Sequence, residues 1–124
     1  MNKTICIIED DQYLVKAYQY VFEKENIPTV VAFDGQQAIK LLEKDPPALV
    51  LLDLMLPGVS GFDVLGAIKT SSLWKNVPVM IISNLDAPKD IEKGKELGAV
   101  EYLVKANYEI SDIVTRAKQF LKQN

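Results

Sequence analysis

The sequence predicts an α/β protein in which a five-stranded parallel sheet is covered by helices on both faces. Short apolar segments rich in Val and Ile alternate five times with longer segments whose apolar residues recur at helical spacing. Several of the short segments are apolar on both faces, which is typical of strands buried in a parallel sheet. Strand–helix repeats with short connections form such sheets through right-handed crossovers, so we expect three layers and five helices.

The five predicted strands are the short apolar segments TICII, TVVAF, ALVLL, PVMIIS and VEYLV. In chain order they lie at residues 4–8, 29–33, 48–52, 78–83 and 100–104. The fifth segment is less uniform than the others because it contains Glu101 and Tyr102. An edge position in the sheet would allow this composition.

Five helices are predicted after these strands. The first lies at residues 12–25, with an apolar face of Leu14, Ala17, Tyr18, Val21 and Phe22. The second lies at 35–44, with Ala38, Ile39, Leu41 and Leu42 on its face. Segments 60–72 and 88–97 are the third and fourth candidates, and Gly98 stands where a glycine commonly ends a helix. The last helix has the clearest spacing, in Ile110, Ile113, Val114, Ala117, Phe120 and Leu121.

The composition predicts one globular domain spanning residues 1–124. Its 48% hydrophobic and 25% charged residues are typical of a chain that buries a core without disulfides. The net charge is −3 and no basic run is present, which argues against direct binding of nucleic acid. A single cysteine, Cys6, and the lack of a signal peptide or long apolar span predict a cytoplasmic setting away from the membrane.

The chain contains no histidine. Histidine-based acid–base catalysis, nucleophile pairs that depend on histidine, and imidazole metal ligands are therefore excluded. Any chemistry must use carboxylates, hydroxyls or lysines.

Polar side chains of complementary chemistry follow four of the predicted strands. Glu9 and Asp10 follow the first strand, Asp53 the third, Ser83 the fourth and Lys105 the fifth. Because the carboxyl ends of parallel strands share one edge of the sheet, these residues are expected to meet in one cleft. Three carboxylates brought together repel one another unless a cation lies among them. We therefore expect a site for a hard divalent ion.

The same cleft is expected to carry out phosphoryl chemistry. Mg²⁺ typically binds one or two carboxylates and completes its shell with water and phosphate oxygens, and the carbonyl of Met55 is a further candidate ligand. Lys105 and Ser83 offer hydrogen-bond donors to a phosphoryl group. Attack of the Asp53 carboxylate on phosphorus, giving an aspartyl phosphate, is the predicted reaction.

Each of these residues has a plainer interpretation when taken alone. The acidic run at residues 9–11 could be helix-terminal acids, Ser83 a helix cap, and Lys105 a solvated surface lysine. Their coincidence at one end of different strands favours a shared site.

The sequence resembles the receiver domain of two-component response regulators, of the chemotaxis type, over essentially its whole length. The motifs that carry the resemblance are IIEDD at 7–11, LLDLMLPGVSGFD at 51–63, PVMIISN at 78–84 and GAVEYLVKA at 98–106. The resemblance implies a flavodoxin-like, doubly wound sheet with strand order 2-1-3-4-5. It also implies a phosphorylation-dependent signalling switch that is not an enzyme acting on a substrate.

The resemblance implies a role for each residue of the cleft. Asp53 is the phosphoacceptor. The residues implied in Mg²⁺ binding are Glu9, Asp10, Asp53 and Met55. The switch and phosphate-binding residues are Ser83, Tyr102 and Lys105. Tyr102 turns inward when the Ser83 hydroxyl moves toward the phosphoryl group, and phosphorylation remodels the surface of the fourth helix, fifth strand and fifth helix.

Three features depart from the family pattern. Ala106 stands where the family usually has a proline in a cis bond, and Asn84 stands where a small residue usually follows the switch hydroxyl. Met55 and Leu85, two positions past the phosphoacceptor and two past the switch hydroxyl, are both apolar. Because neither side chain can orient an attacking water, we expect slow self-dephosphorylation.

The expected partners are proteins. Since the chain has no histidine, a sensor histidine kinase, a phosphotransfer protein or a small acyl phosphate must donate the phosphoryl group. A protein effector is expected downstream, and the remodelled surface is a candidate dimer interface. The chain is expected to be a stand-alone receiver or the amino-terminal part of a longer regulator.

Three alternatives stay open at this point. A Mg²⁺-dependent phosphatase or phosphotransferase would need a second acid where Met55 stands. A flavin-binding protein would need a Ser/Thr/Gly-rich phosphate loop after the first strand, where this chain has acids. A receiver fold that has become a constitutive interaction module would not need the intact set of cleft residues.

Overall fold

The computed structural model describes residues 3–122 as a parallel sheet between two layers of helices. The strands are β1 Ile5–Ile8, β2 Thr29–Ala32, β3 Leu49–Leu52, β4 Val79–Ser83 and β5 Glu101–Val104. The helices are α1 Gln12–Lys24, α2 Gly35–Leu41, α3 Gly61–Thr70, α4 Pro88–Glu96 and α5 Ile110–Lys122. The predicted elements are all confirmed, and the largest shift in a boundary is at the end of α2, at residue 41 instead of 44. No helix within 3–122 has the length and apolar character needed to cross a membrane.

The strand order is β2-β1-β3-β4-β5, and every neighbouring pair is parallel, as expected. The three central strands are fully buried, which explains their apolar sequences. The direction of winding reverses between β1 and β3. Ile8 pairs with Leu52 there, so Glu9 and Asp53 leave the sheet side by side. This is the position at which doubly wound sheets bind their ligands.

The core forms one layer on each face of the sheet because successive strand residues point to opposite sides. Along β1, Cys6 and Ile8 join the layer beneath α2, α3 and α4, whereas Ile5 and Ile7 join the layer beneath α1 and α5. The predicted face of α1 was partly wrong, since Val15 is buried while Leu14 is only half-buried. On α2, Ile39 is 39% exposed and does not belong to the core.

Two acids near the strand ends cap the helices that follow them. The Asp11 carboxylate accepts the N–H groups of Tyr13 and Leu14 at 3.0 and 3.2 Å and so caps α1. Asp34 accepts the N–H of Gln37 at 2.8 Å and caps α2. These two acids therefore stabilise helices and lie outside the predicted cleft set.

Trp74 lies in the α3–β4 connection, at the sheet edge opposite the carboxyl ends of the strands. Its side chain is fully buried, and its indole N–H donates to the Lys44 carbonyl at 3.0 Å. This hydrogen bond joins the α3–β4 connection to the α2–β3 connection. No pattern in the sequence indicated a role for Trp74.

The connection after β5 contains Ala106, where the family usually has a proline. Residues Lys105–Asn107 form a short 3-10 helix, which was not predicted, and the peptide bonds of residues 3–122 include no cis bond. The N–H of Tyr108 donates to the Lys105 carbonyl at 3.3 Å. Gly98 has a φ of 106°, which confirms the predicted glycine after α4.

Candidate functional site

The acids that follow β1 and β3 meet at the carboxyl edge of the sheet, as predicted. Carboxylate oxygens of Glu9, Asp10 and Asp53 lie within 4.8 Å of one another. Glu9 is 4% exposed and Asp53 5% exposed, whereas Asp10 is open to solvent. The cluster therefore consists of two buried acids with a third at its rim. We call these three residues the acidic cluster.

Lys105 forms ion pairs with both buried acids of the cluster. Its Nζ lies 2.7 Å from Glu9 Oε1 and 2.8 Å from Asp53 Oδ2. Burial lowers the pKa of Lys105, but the hydrogen bonds to the two carboxylates outweigh this effect and leave the pKa above its usual value. The interpretation as a solvated surface lysine is therefore wrong. The contact with Glu9 was not predicted, since only Asp53 was expected beside this lysine.

Glu9 lies in an environment that disfavours its charge. Burial raises the pKa of Glu9 to about 7, and the neighbouring Asp53 charge acts in the same direction, while Lys105 opposes both. The Asp11 N–H donates to Glu9 Oε2 at 3.1 Å and also favours the charged form. The acidic run at residues 9–11 thus divides into two cluster acids and one helix cap.

The acidic cluster fits a hard divalent cation. All of its ligand atoms are carboxylate oxygens, the donors that Mg²⁺ prefers, and three acids stand against one lysine. The Met55 N–H donates to Asp53 Oδ1 at 3.0 Å, so the backbone of Met55 lies beside the phosphoacceptor candidate. The role of the Met55 carbonyl as a ligand stays a prediction.

Ser83 and Tyr102 are joined through Leu85. Ser83 is fully buried at the end of β4, and its Oγ accepts the Leu85 N–H at 3.3 Å. The Tyr102 hydroxyl donates to the Leu85 carbonyl at 2.6 Å, and the Tyr102 ring is buried in the inward position. Burial, followed by the charges of nearby acids, raises the pKa of Tyr102. The interpretation of Ser83 as a helix cap is wrong because α4 begins at Pro88.

Tyr18, which helical spacing predicted only to lie on the apolar face of α1, is close enough to the acidic cluster to respond to its charges. It is 2% exposed, and its hydroxyl has no hydrogen-bond partner among the residues that the structure describes. Burial raises the pKa of Tyr18, and the charges of Glu9 and Asp53 add to the shift. Helical spacing predicted the burial of this ring but gave no signal for its closeness to the acids.

The Tyr18→Phe substitution is expected to stabilise the domain by about 1 kcal/mol, because a buried hydroxyl without a partner costs about 1–3 kcal/mol. The free energy of unfolding in urea measures the effect. Tyr20→Phe is the matched control on the same helix, where the ring is 61% exposed, and it should be neutral. A loss of stability in Tyr18→Phe would show that the hydroxyl is hydrogen-bonded in the folded protein.

Fold and site together define a phosphoacceptor signalling domain, since a buried acid and its lysine stand where the winding of the sheet reverses. A family model described as Response regulator receiver domain matches residues 5–118, and the chain belongs to that family. It is therefore a phosphorylation-dependent switch of two-component signalling.

Several curated relatives match the whole chain, including the two that follow. The alkaline phosphatase synthesis transcriptional regulatory protein PhoP of Bacillus subtilis (strain 168) is 31% identical, and the match covers 100% of this chain and 50% of the relative. The DNA-binding response regulator MtrA of Mycolicibacterium paratuberculosis is 33% identical, with coverage of 100% and 53%. The chain thus spans about half the length of these curated relatives.

A solved structure agrees with the family assignment. The receiver domain of the Francisella response regulator 1452 superposes with a TM-score of 0.87 at 28% identity, and the match covers 98% of each chain. The two curated relatives are named as transcriptional or DNA-binding regulators, so they do not support the narrower prediction of a chemotaxis-type receiver. These similarities support membership of the receiver family and do not support a narrower class.

Proposed function

We propose that this protein accepts a phosphoryl group on Asp53 and passes the signal on by changing the surface formed by α4, β5 and α5. The observation that carries the proposal is the way the Asp53 carboxylate is held. Lys105 donates to Oδ2 and the Met55 N–H donates to Oδ1, at 2.8 and 3.0 Å. A nucleophile fixed beside a cation is prepared for transfer of an anionic group.

In the proposed reaction, a carboxylate oxygen of Asp53 attacks the phosphorus of a phosphohistidine or an acyl phosphate. The new O–P bond forms as the P–N or P–O bond to the donor breaks, and the donor keeps the electron pair. An acyl phosphate leaves as its carboxylate, whereas a phosphohistidine leaves as an imidazole whose nitrogen carries a proton taken from solvent. Lys105, whose Nζ contacts Asp53 Oδ2, would stabilise charge on the transferred oxygens.

A cation is proposed to complete this site. The residues that would hold Mg²⁺ are Glu9, Asp10, Asp53 and Met55. When bound, Mg²⁺ supplies positive charge for the transferring phosphoryl oxygens. Glu9 and Asp53 also hold the pKa of Lys105 above its usual value through their hydrogen bonds to Nζ.

Ser83 and Tyr102 are proposed to carry the signal away from Asp53. A phosphoryl group would attract the Ser83 hydroxyl, which now accepts the Leu85 N–H. The Tyr102 hydroxyl donates to the Leu85 carbonyl, so a movement of the loop after β4 would be passed directly to Tyr102 on β5. Phosphorylation would then shift an equilibrium that already exists between two arrangements of this loop and ring.

The proposed partners are proteins on both sides of the switch. A sensor histidine kinase or phosphotransfer protein is the proposed donor. The output is proposed to be a protein effector or a second copy of this chain on the surface of α4, β5 and α5. DNA binding appears in the name of a relative about twice as long as this chain. The 124 residues of this chain carry a net charge of −3, and we do not propose that they bind DNA directly. The cytoplasmic setting and the single domain over 1–124 stay predictions.

Incubation with acetyl phosphate and Mg²⁺, followed by intact mass measurement, tests the proposal. The wild type is expected to gain the mass of one phosphoryl group, and Asp53→Asn should gain none because its amide is a poor nucleophile. Asp63→Asn is the matched control, since Asp63 is an exposed acid at the start of α3. Phosphorylation of Asp53→Asn at the wild-type level would overturn the proposal. A wild type that responds neither to acetyl phosphate nor to beryllofluoride would favour a constitutive interaction module.

A further inference from the structure

Helix α4 has an unusual residue at the point where it meets the sheet. Its sequence, PKDIEKGKE, is dominated by charged residues, and Gly94 is the one buried residue among the nine, all of which the structure describes. A glycine in a helix interior destabilises the helix relative to alanine. Some contact of the folded protein must therefore require a residue without a side chain at this position.

The contact is with the Tyr102 ring. A Cβ atom at Gly94 would lie 2.7 Å from Ile81 Cδ1 and 3.0 and 3.2 Å from Cδ2 and Cε2 of Tyr102. Ordinary contacts between carbon atoms are about 3.5–4.0 Å. Rotation of the terminal methyl of Ile81 would relieve the first overlap, but the overlap with the Tyr102 ring would remain. The inward ring of Tyr102 thus occupies the space that a side chain at residue 94 would need.

Helix α4 is not free to move away from the ring. Ile91 and Leu97, on either side of Gly94, both pack against the core layer that contains Tyr102. Lys93 Nζ lies 4.3 Å from the centre of the Phe62 ring on α3, which is a cation–π contact. Since the helix is anchored before and after Gly94, the Tyr102 side chain is the part that can yield, by rotating outward.

We propose that Gly94 is a positioning residue of the switch. Without a side chain at this point, Tyr102 stands inward before phosphorylation and donates its hydroxyl to the Leu85 carbonyl. Gly94 thereby sets the fraction of molecules that are ready for a phosphoryl group. The inference rests on the proposed function in one respect, namely that phosphorylation favours the inward ring. A side chain at residue 94 lowers this fraction, and the apparent affinity for a phosphoryl analogue falls in proportion.

The position of the ring is tested first, in the absence of any phosphoryl donor. ¹⁹F NMR of the protein labelled with fluorotyrosine, with the Tyr102 signal assigned through Tyr102→Phe, reports exposure of the ring through the solvent isotope shift. Gly94→Ala is expected to increase that shift toward the value of the exposed Tyr13, and Gly94→Leu to increase it further. Gly66→Ala is the matched control in α3, because a Cβ there meets no atom within 4 Å.

The affinity for beryllofluoride in the presence of Mg²⁺ is tested second. Gly94→Ala is expected to raise the Kd about fivefold, since the apparent affinity scales with the inward fraction, and Gly66→Ala should leave the Kd unchanged. In a Tyr102→Ala background the Gly94→Ala substitution should have no effect, because the ring with which the methyl competes is gone.

The outcomes separate the two proposals. If Gly94→Ala leaves both the Tyr102 signal and the Kd as they are in Gly66→Ala, the role of Gly94 is overturned. If the Tyr102 signal responds to Gly94→Ala but wild type shows no Asp53-dependent binding of beryllofluoride, the role of Gly94 in placing the ring is supported and the proposed phosphoacceptor function is overturned. Circular dichroism of each variant confirms that it is folded.

Discussion

Lys105→Met is expected to destabilise the metal-free domain by about 3 kcal/mol, because removing one partner of a buried ion pair leaves an uncompensated charge. Here the single Nζ contacts both Glu9 and Asp53. The Asp53 carboxylate loses its ion-pair partner, while Glu9, whose pKa is about 7 even beside Lys105, is expected to become protonated. Methionine keeps the length and apolar stem of the side chain and removes only the charge. We place the effect at the lower end of the usual range because Asp10 leaves one side of the cluster open to solvent. Urea unfolding in the presence of a chelator measures it.

Mg²⁺ is expected to restore much of the stability lost in Lys105→Met, because a cation bound to the folded state replaces the missing positive charge. Lys118→Met is the matched control. It breaks the ion pair between Lys118 and Glu25, which lies at the surface, and should cost at most about 1 kcal/mol. A Lys105→Met variant as stable as this control would show that the lysine does not neutralise the buried acids.

The aspartyl phosphate of this protein is expected to persist for minutes or longer once the donor is removed. Hydrolysis requires a water molecule aligned with the phosphorus, and the side chains two positions past Asp53 and Ser83 offer it no hydrogen bond. Met55 is largely exposed at the mouth of the site, and Leu85 is half-buried. Mass measurement over time after removal of acetyl phosphate follows the decay, and a half-life of seconds would contradict the expectation.

The Met55→Asn substitution is expected to shorten this lifetime about tenfold. Side chains that position a reacting group or its proton typically contribute at least that factor to a rate. Met55→Leu, which keeps the position apolar, is the control and should leave the lifetime unchanged. Equal lifetimes in the two variants would assign the slow step to something other than orientation of water at this position.

The strands were predictable because burial on both sides leaves an uninterrupted apolar segment, as in β3 and β4. Their order in the sheet was not contained in that pattern and came from the family resemblance. The acidic cluster was predictable for a different reason. Parallel strands bring their carboxyl ends together whatever the order, so Glu9 and Asp53 had to lie at one edge.

Sequence reasoning failed where packing between distant segments decides the outcome. The predicted face of α1 omitted Val15 because apolar residues at 14, 15, 17 and 18 allow more than one orientation of the helix. The contact of Lys105 with Glu9 depends on how a long side chain crosses the sheet edge, which spacing does not determine. The role of Gly94 was not predictable from the sequence because it depends on the close approach of the Tyr102 ring, which lies on another element.

Trp74 gives the molecule an optical probe that is separate from its switch. It is the single tryptophan of the sequence, and it is buried at the sheet edge opposite Asp53. Its emission is therefore expected to follow loss of the folded core, whereas the assigned ¹⁹F resonance of Tyr102 is expected to report on the proposed switch. Denaturation and signalling can thus be followed by two separate signals in one fluorotyrosine-labelled sample.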